Sequence, residues 1–237
     1  MAQSPKRHFL LVTSEGQCSK ISFLITVRKS SLKFMKFILG TKVKMTQIFD
    51  DKGLVHPVTT LKADPMTVTA IKTVSSDGYN AVQVGFGTRG AKNITKAVKG
   101  QMKGGEYMYL REFRTEGEPA FAVGDKIDLS TFATGDKVTV SSISKGKGFQ
   151  GAVKRHGFHG GPRSHGQKHS EREVGSIGGG GRDGGRVAKN KRMAGRMGGD
   201  RITSKGLTVV SVKPETNEIF IRGAISGRRG TLVEVNG

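Results

Sequence analysis

The chain has 237 residues, with 40 Lys and Arg against 19 Asp and Glu, a formal net charge of +21, one Cys and no Trp. That cationic excess implies a polyanionic partner, nucleic acid before acidic membrane. The lone Cys18 excludes a disulfide framework and a thiolate zinc site. No apolar run reaches the roughly 20 residues that a bilayer-crossing helix needs, so the expectation is a soluble protein of a reducing compartment with no membrane partner.

Residues 1–34 form a Ser-rich N-terminal extension with six basic residues, one acid and a short apolar run at Ile21–Val27. A secretory signal would want a longer apolar stretch and a small-residue cleavage site. Two readings stay open: a presequence of the organellar transit type, or a chain whose synthesis begins at Met35.

From Phe37 onward the pattern is that of strands. Phe37–Ile48 runs to the turn signal Asp50-Asp51-Lys52-Gly53, and Leu54–Leu61, Thr67–Val74 and Tyr79–Phe86 follow, the last two separated by Ser75–Gly78. Within Tyr79–Phe86, Val82, Val84 and Phe86 alternate with small or polar residues, the two-residue period of a half-buried strand. Only Asn93 to Lys103 reads as helix, weakened by Gly100. Ile127–Leu129, Val138–Ile143, Thr208–Val212, Ile219–Arg222 and Thr231–Val235 are further strands, with Lys213–Asn217 as a hairpin loop. Many short strands at this spacing predict a mainly β fold, a small barrel or sandwich. Residues 35–143 and 207–237 together make one globular domain, and residues 144–206 are an insertion into it.

The insertion holds 15 basic and four acidic residues, 18 of the 35 Gly and four of the six His. Its long apolar side chains are few: Phe149, Phe158, Ile177, Met193, Met197 and Ile202. Such a stretch cannot bury enough apolar surface to offset its own ordering entropy. It reads as an extended arm that takes its shape on nucleic acid; a plain solvated linker has little use for 15 cations. The cations recur every few residues without a helical period, so in an extended chain successive ones meet successive phosphates. The candidate phosphate ligands are Lys145, Lys147, Lys154, Arg155, Arg163, Arg182, Arg186, Lys189, Lys191, Arg192, Arg196 and Arg201, with Gln150 beside them. His156, His159, His165 and His169 are candidates to stack on bases or donate to phosphate and ribose oxygens. Phe149 and Phe158 either stack on bases or pack back on the barrel rim.

Three chemical readings of the same stretch carry less weight. Gly146–Gly151 matches the dinucleotide-binding G-x-G-x-x-G, but the residues that follow cannot sustain the helix which that motif needs. The four arm histidines have neither thiolates nor well-placed carboxylates for a metal. No nucleophile, base and carboxylate set stands out, and no Walker-type loop is present. The expectation is a protein that is not an enzyme and has no cofactor, no metal and no small-molecule substrate.

Several ordered motifs then resemble one family. GTKVKMTQIF at Gly40–Phe49, SKGKGFQG at Ser144–Gly151, KRHGF at Lys154–Phe158, SHG at Ser164–Gly166, GSIG at Gly175–Gly178, GRV at Gly185–Val187, KRMAGRMG at Lys191–Gly198 and GAISG at Gly223–Gly227 resemble the universal large-subunit ribosomal protein L three family, bacterial type. The similarity runs from about Met35 to Val235. It implies a six-stranded β-barrel of the translation-factor type with a long Gly/Arg/Lys-rich finger. It further implies a structural constituent of the cytoplasmic large subunit that binds 23S-type ribosomal RNA near its 3′ end and helps nucleate assembly. The finger would reach toward the peptidyl-transferase centre, with its nearest turn around Arg155–His169 and large-subunit proteins fourteen and nineteen as neighbours. Two positions depart from the family pattern. Gly161 stands where some bacterial members carry a methylated Gln, so that modification is not expected. Glu171-Arg172-Glu173-Val174 replaces the usual His-Arg-Ala-Pro, and its acids can pair with cations such as Lys168 or Arg172. The competing readings are an extraribosomal nucleic-acid-binding protein and, behind it, a dinucleotide enzyme built on Gly146–Gly151.

Overall fold

Alternating apolar side chains in short segments can bury one face only by closing on each other, and that is how the barrel strands are arranged. The computed structural model describes residues 36–102, 105–117, 120–179, 181 and 184–237. The N-terminal extension of 1–34 and the candidate Arg182 lie outside the described residues. In chain order the strands are β1 (Phe37–Phe49), β2 (Val55–Lys62), β3 (Met66–Lys72), β4 (Ala81–Thr88), β5 (Tyr107–Arg114) and β6 (Lys126–Ile127). They continue with β7 (Lys137–Ile143), β8 (Gly148–Gln150), β9 (Gly195–Met197), β10 (Arg201–Lys213), β11 (Glu218–Arg222) and β12 (Leu232–Asn236). Among the described residues helix is confined to one- and two-turn pieces, α1 (Val74–Asp77), α2 (Lys96–Gln101) and α3 (Ala152–His156), plus short 3-10 turns.

Six strands in the order β1-β12-β7-β10-β11-β2 close into the expected barrel, every pairing antiparallel. Closure removes exposed sheet edges. Val58, Leu61, Val209, Ile219, Ile221, Val233 and Val235 are fully buried, and each such side chain contributes about 1.5–3 kcal/mol relative to exposure. A second sheet in the order β5-β4-β3-β6 packs on the barrel. This is why three consecutive residues, Phe37, Ile38 and Leu39, are all buried: successive side chains leave opposite faces of a strand, and both faces of this end of β1 are covered. Phe37 stacks on Phe113 of β5 with ring centroids 4.5 Å apart, and meets Phe121 edge-on at 5.7 Å.

Polar contacts fasten the second sheet. Lys72 lies 3.0 Å from Glu112, and Tyr79 donates its hydroxyl to Glu112 Oε2 at 2.9 Å. Burial pushes the Glu112 carboxyl up, but donation from Lys72, Tyr79 and Gln83 outweighs it and holds the group below the usual range. Its partner Lys72 is raised above the ordinary lysine value, first by Tyr79 and then by Glu112. Glu234 on β12 takes Arg111 of β5 on one oxygen at 3.0 Å and Arg201 of β10 on the other.

The segment predicted as helix divides into a 3-10 turn at Ala91–Asn93 and the six-residue α2. The turn signal at Ser75–Gly78 is a single helical turn ended by Gly78, whose φ of 80° suits glycine. β10 begins at Arg201, well before the strand expected at Thr208, and its first residues pair with β7: Arg201 lies opposite Ile143, Thr203 opposite Ser141.

Candidate nucleic-acid interface

The arm leaves the barrel at the end of β7 and returns at the start of β10, so its two ends are neighbours in one antiparallel pair. Backbone bonds continue the pairing outward. Ser144 N donates to Asp200 O at 2.9 Å, Asp200 N donates to Ser144 Oγ at 3.2 Å, and Lys147 N donates to Met197 O at 2.9 Å. The short β8–β9 ladder follows, with Phe149 opposite Arg196 and Gln150 opposite Gly195. Gly198 makes this close approach practicable: its φ is +75°, and a Cβ there would overlap the Lys145 carbonyl oxygen.

Past the ladder, α3 makes one and a half turns and ends at Gly157, φ 73°. Arg155 Nη1 donates to the Met193 carbonyl at 2.9 Å, and His156 Nε2 lies 3.1 Å from the same oxygen. The guanidinium lies where a Cβ of residue 195 would be, so Gly195 admits it. Arg155 and His156 therefore tie the outgoing and returning limbs together. Further out, Gly161 N donates to Glu171 O at 3.0 Å, with Gly160 at φ +74° and no room for a Cβ against that carbonyl. The contact closes a loop that displays Arg163, His165 and His169 to solvent, with His165 itself at φ 57°.

Lys145, Lys147, Lys154, His159, Arg186, Lys189, Lys191, Arg192 and Arg196 are exposed as well, and Gln150 is half-buried, its amide donating to the Lys147 carbonyl. Arg201 differs from these: it stands on barrel strand β10 and is ion-paired to Glu234. Phe149 is 76% exposed and so does not pack on the barrel rim, whereas Phe158 is half-buried with its ring 5.9 Å from that of His156. Among the described residues no three His, Cys, Asp or Glu come together as metal ligands, and neither Glu171 nor Glu173 forms an ion pair. The G-x-G-x-x-G stretch is followed by the five-residue α3 and preceded by an antiparallel barrel strand, which is not a dinucleotide-binding βαβ unit.

At the foot of the arm the geometry makes a cleft of about 610 Å³ lined by Lys42, Lys145, Lys147, Arg155, His156 and Arg196, with Asp200 the one carboxylate among the described residues that line it. Lys42 comes from the barrel. It sits where β1 shifts register against β2, and its Nζ donates to the Ile225 carbonyl. Burial, and then the charge of Lys145, push its pKa down. Cation spacing along the arm gave no sign of Lys42, which lies about a hundred residues upstream of the arm.

A closed antiparallel barrel from which a cationic, core-poor hairpin arm extends defines a basic barrel-and-arm protein. Residues 118–235 match the family model for Ribosomal protein L3. Large ribosomal subunit protein uL3 of Herpetosiphon aurantiacus is 46% identical over 201 residues, covering 84% of this chain and 94% of that protein. The uL3 proteins of Dehalococcoides mccartyi and Carboxydothermus hydrogenoformans are each 45% identical, over 83% and 84% of this chain and 95% of theirs. The chain belongs to the ribosomal protein L3 family, in its bacterial type.

Proposed function

We propose that the chain is a structural constituent of the large ribosomal subunit that binds large-subunit ribosomal RNA directly through its arm. The observation that carries this reading is where charge is left uncompensated. The ion pairs among the described residues all lie on the barrel and the second sheet, and none involves a Lys or Arg between residues 144 and 200. Exposed cations with no internal counter-ion, on backbone too poor in apolar residues to form a core, are completed by phosphates from outside. The division of labour follows: the barrel and its second sheet anchor, and the arm between β7 and β10 reaches into RNA. Contact near the 3′ end of 23S-type RNA, an early role in assembly, support of the peptidyl-transferase centre by the loop around Arg155–His169, and neighbours such as large-subunit proteins fourteen and nineteen belong to the same reading. So do the cytoplasmic location of the bacterial large subunit and the absence of catalysis by the protein itself.

Sucrose-gradient sedimentation of lysate in high salt, with each fraction probed for this chain, tests it. Retention in the large-subunit peak is the expected result. Recovery only from the free pool would refute it and leave an extraribosomal nucleic-acid-binding protein.

A further inference from the structure

We propose that the cleft at the foot of the arm is a discrete pocket for a single phosphodiester group of RNA, in which Lys42 of the barrel and Lys145, Lys147 and Arg196 of the arm hold the same phosphate. The proposal rests on the RNA-binding reading and adds where contact is concentrated. It also makes the barrel, and not only the arm, part of the binding surface.

Three features set this place apart from the rest of the arm. The first is convergence. β1, the two limbs of the arm and the Ile225–Gly227 turn all contribute to one cleft, whereas the outer cations are spread along an exposed chain. The second is preorganisation. Lys42 is held by the carbonyls of Ile225 and Gly227, Arg155 by the carbonyl of Met193, and the two limbs by the Ser144–Asp200 and Lys147–Met197 bonds. Groups ordered before the ligand arrives lose less entropy on binding it. The third is electrostatic imbalance. Among the described residues several cations face a single carboxylate, Asp200, and the proton on Lys42 is already disfavoured by burial and by Lys145. An anion placed between Lys42 and Lys145 favours the charged form of both lysines and so opposes that shift. The cleft opens to solvent and is lined from both limbs of the arm, so a phosphate of a polymer backbone can enter it.

The test uses the full chain and a synthetic fragment of large-subunit ribosomal RNA that it binds. Each linkage in turn is made a neutral methylphosphonate, and the salt dependence of binding is measured for Lys42→Met, Lys42→Arg, Lys145→Met and, as an arm control outside the cleft, Lys191→Met. With the wild-type chain, neutralising one linkage should weaken binding about tenfold or more, well beyond its neighbours. Lys42→Met and Lys145→Met should each lower the slope of log K against log salt by about one and erase sensitivity at that same linkage. Lys191→Met should lower the slope but keep the sensitivity. Lys42→Arg should behave as wild type, and an unchanged thermal midpoint shows that the variants are folded.

A graded effect over all linkages, or a Lys42→Met chain that keeps both slope and linkage sensitivity, overturns the pocket while leaving RNA binding intact. Displacement of RNA from the wild type by millimolar inorganic phosphate, lost in Lys42→Met and unaccompanied by a sensitive linkage, assigns the cleft to free phosphate and also overturns it. No binding by the wild type at all defeats the RNA reading itself.

Discussion

Replacing Gly198 by Ala asks whether the foot of the arm is a closed structure before RNA is bound. Gly198 has φ +75°, and an added Cβ would overlap the backbone oxygen of Lys145. Holding an L-residue in the left-handed region costs about 1–2 kcal/mol. The overlap is with main chain, so it is relieved only by moving Lys145, which sits between the two backbone bonds that close the foot, Ser144 N to Asp200 O and Lys147 N to Met197 O. Losing them removes about 0.5–1.5 kcal/mol each, giving a total of about 2–5 kcal/mol against the closed foot. Gly148 is the matched control, since it has φ +69° but nothing within 4 Å of its would-be Cβ, so its Ala variant carries the conformational cost alone. Among the described residues the buried core cluster takes none from the arm, so neither change should move the thermal midpoint of the barrel. Hydrogen–deuterium exchange should show Gly198→Ala losing amide protection at Ser144 and Lys147 while β1 and β11 keep theirs. If the closed foot is the RNA-binding form, affinity falls between about 30-fold and a few thousand-fold for Gly198→Ala, and only about 5- to 30-fold for Gly148→Ala. Equal losses in the two variants, with foot protection unchanged, would refute the argument from close approach.

Phe149→Ala tests the exposed ring on β8: with 76% of the residue exposed, stability should shift by less than about 0.5 kcal/mol. If the ring stacks on a base, RNA affinity should fall by about 1–3 kcal/mol; a stability loss with intact affinity would show a packing role instead. Acid should expose the two held-down carboxylates, Glu112 beside Lys72 and Tyr79, and Asp136, which accepts from Lys36 at 2.7 Å and from the Ala133 amide at 3.0 Å. Because both are depressed in the folded chain, their contribution is complete above the unfolded carboxylate range near pH 4 and disappears as pH falls through the folded values. Urea unfolding of Lys36→Met should therefore differ from wild type at pH 7 and converge with it near pH 2. A difference that does not change with pH would remove Asp136 from the account.

The barrel was legible because its strands carry their own signal. Val138–Ile143, Ile219–Arg222 and Thr231–Val235 alternate or cluster apolar residues between turn signals, and each is within about a residue of the observed β7, β11 and β12. β5 carries no such signal. Tyr107–Arg114 mixes aromatics with Arg111, Glu112 and Arg114, and what makes it a strand is partners from elsewhere: Lys72 and Tyr79 on Glu112, Glu234 on Arg111. The β8–β9 ladder was invisible for a related reason, since Gly195 and Gly198 matter for what they let approach, Arg155 and the Lys145 carbonyl, and not for any period along the chain.

The same limit governs the charged residues. Spacing along the arm treats all its cations as equivalent, and folding makes them unequal. Arg201 lands on a barrel strand against Glu234, Arg155 crosses between limbs, Lys145 and Lys147 gather at the foot, and Lys42 joins them from the first strand of the barrel. Composition therefore locates a surplus of positive charge, but only the closed barrel decides where that surplus is neutralised and where it is concentrated. Because β7 and β10 are paired neighbours, the two ends of the arm, Ser144 and Asp200, must leave the barrel side by side. That pairing brings cations from opposite ends of the insertion into one cleft, and no pattern within the insertion could have shown it.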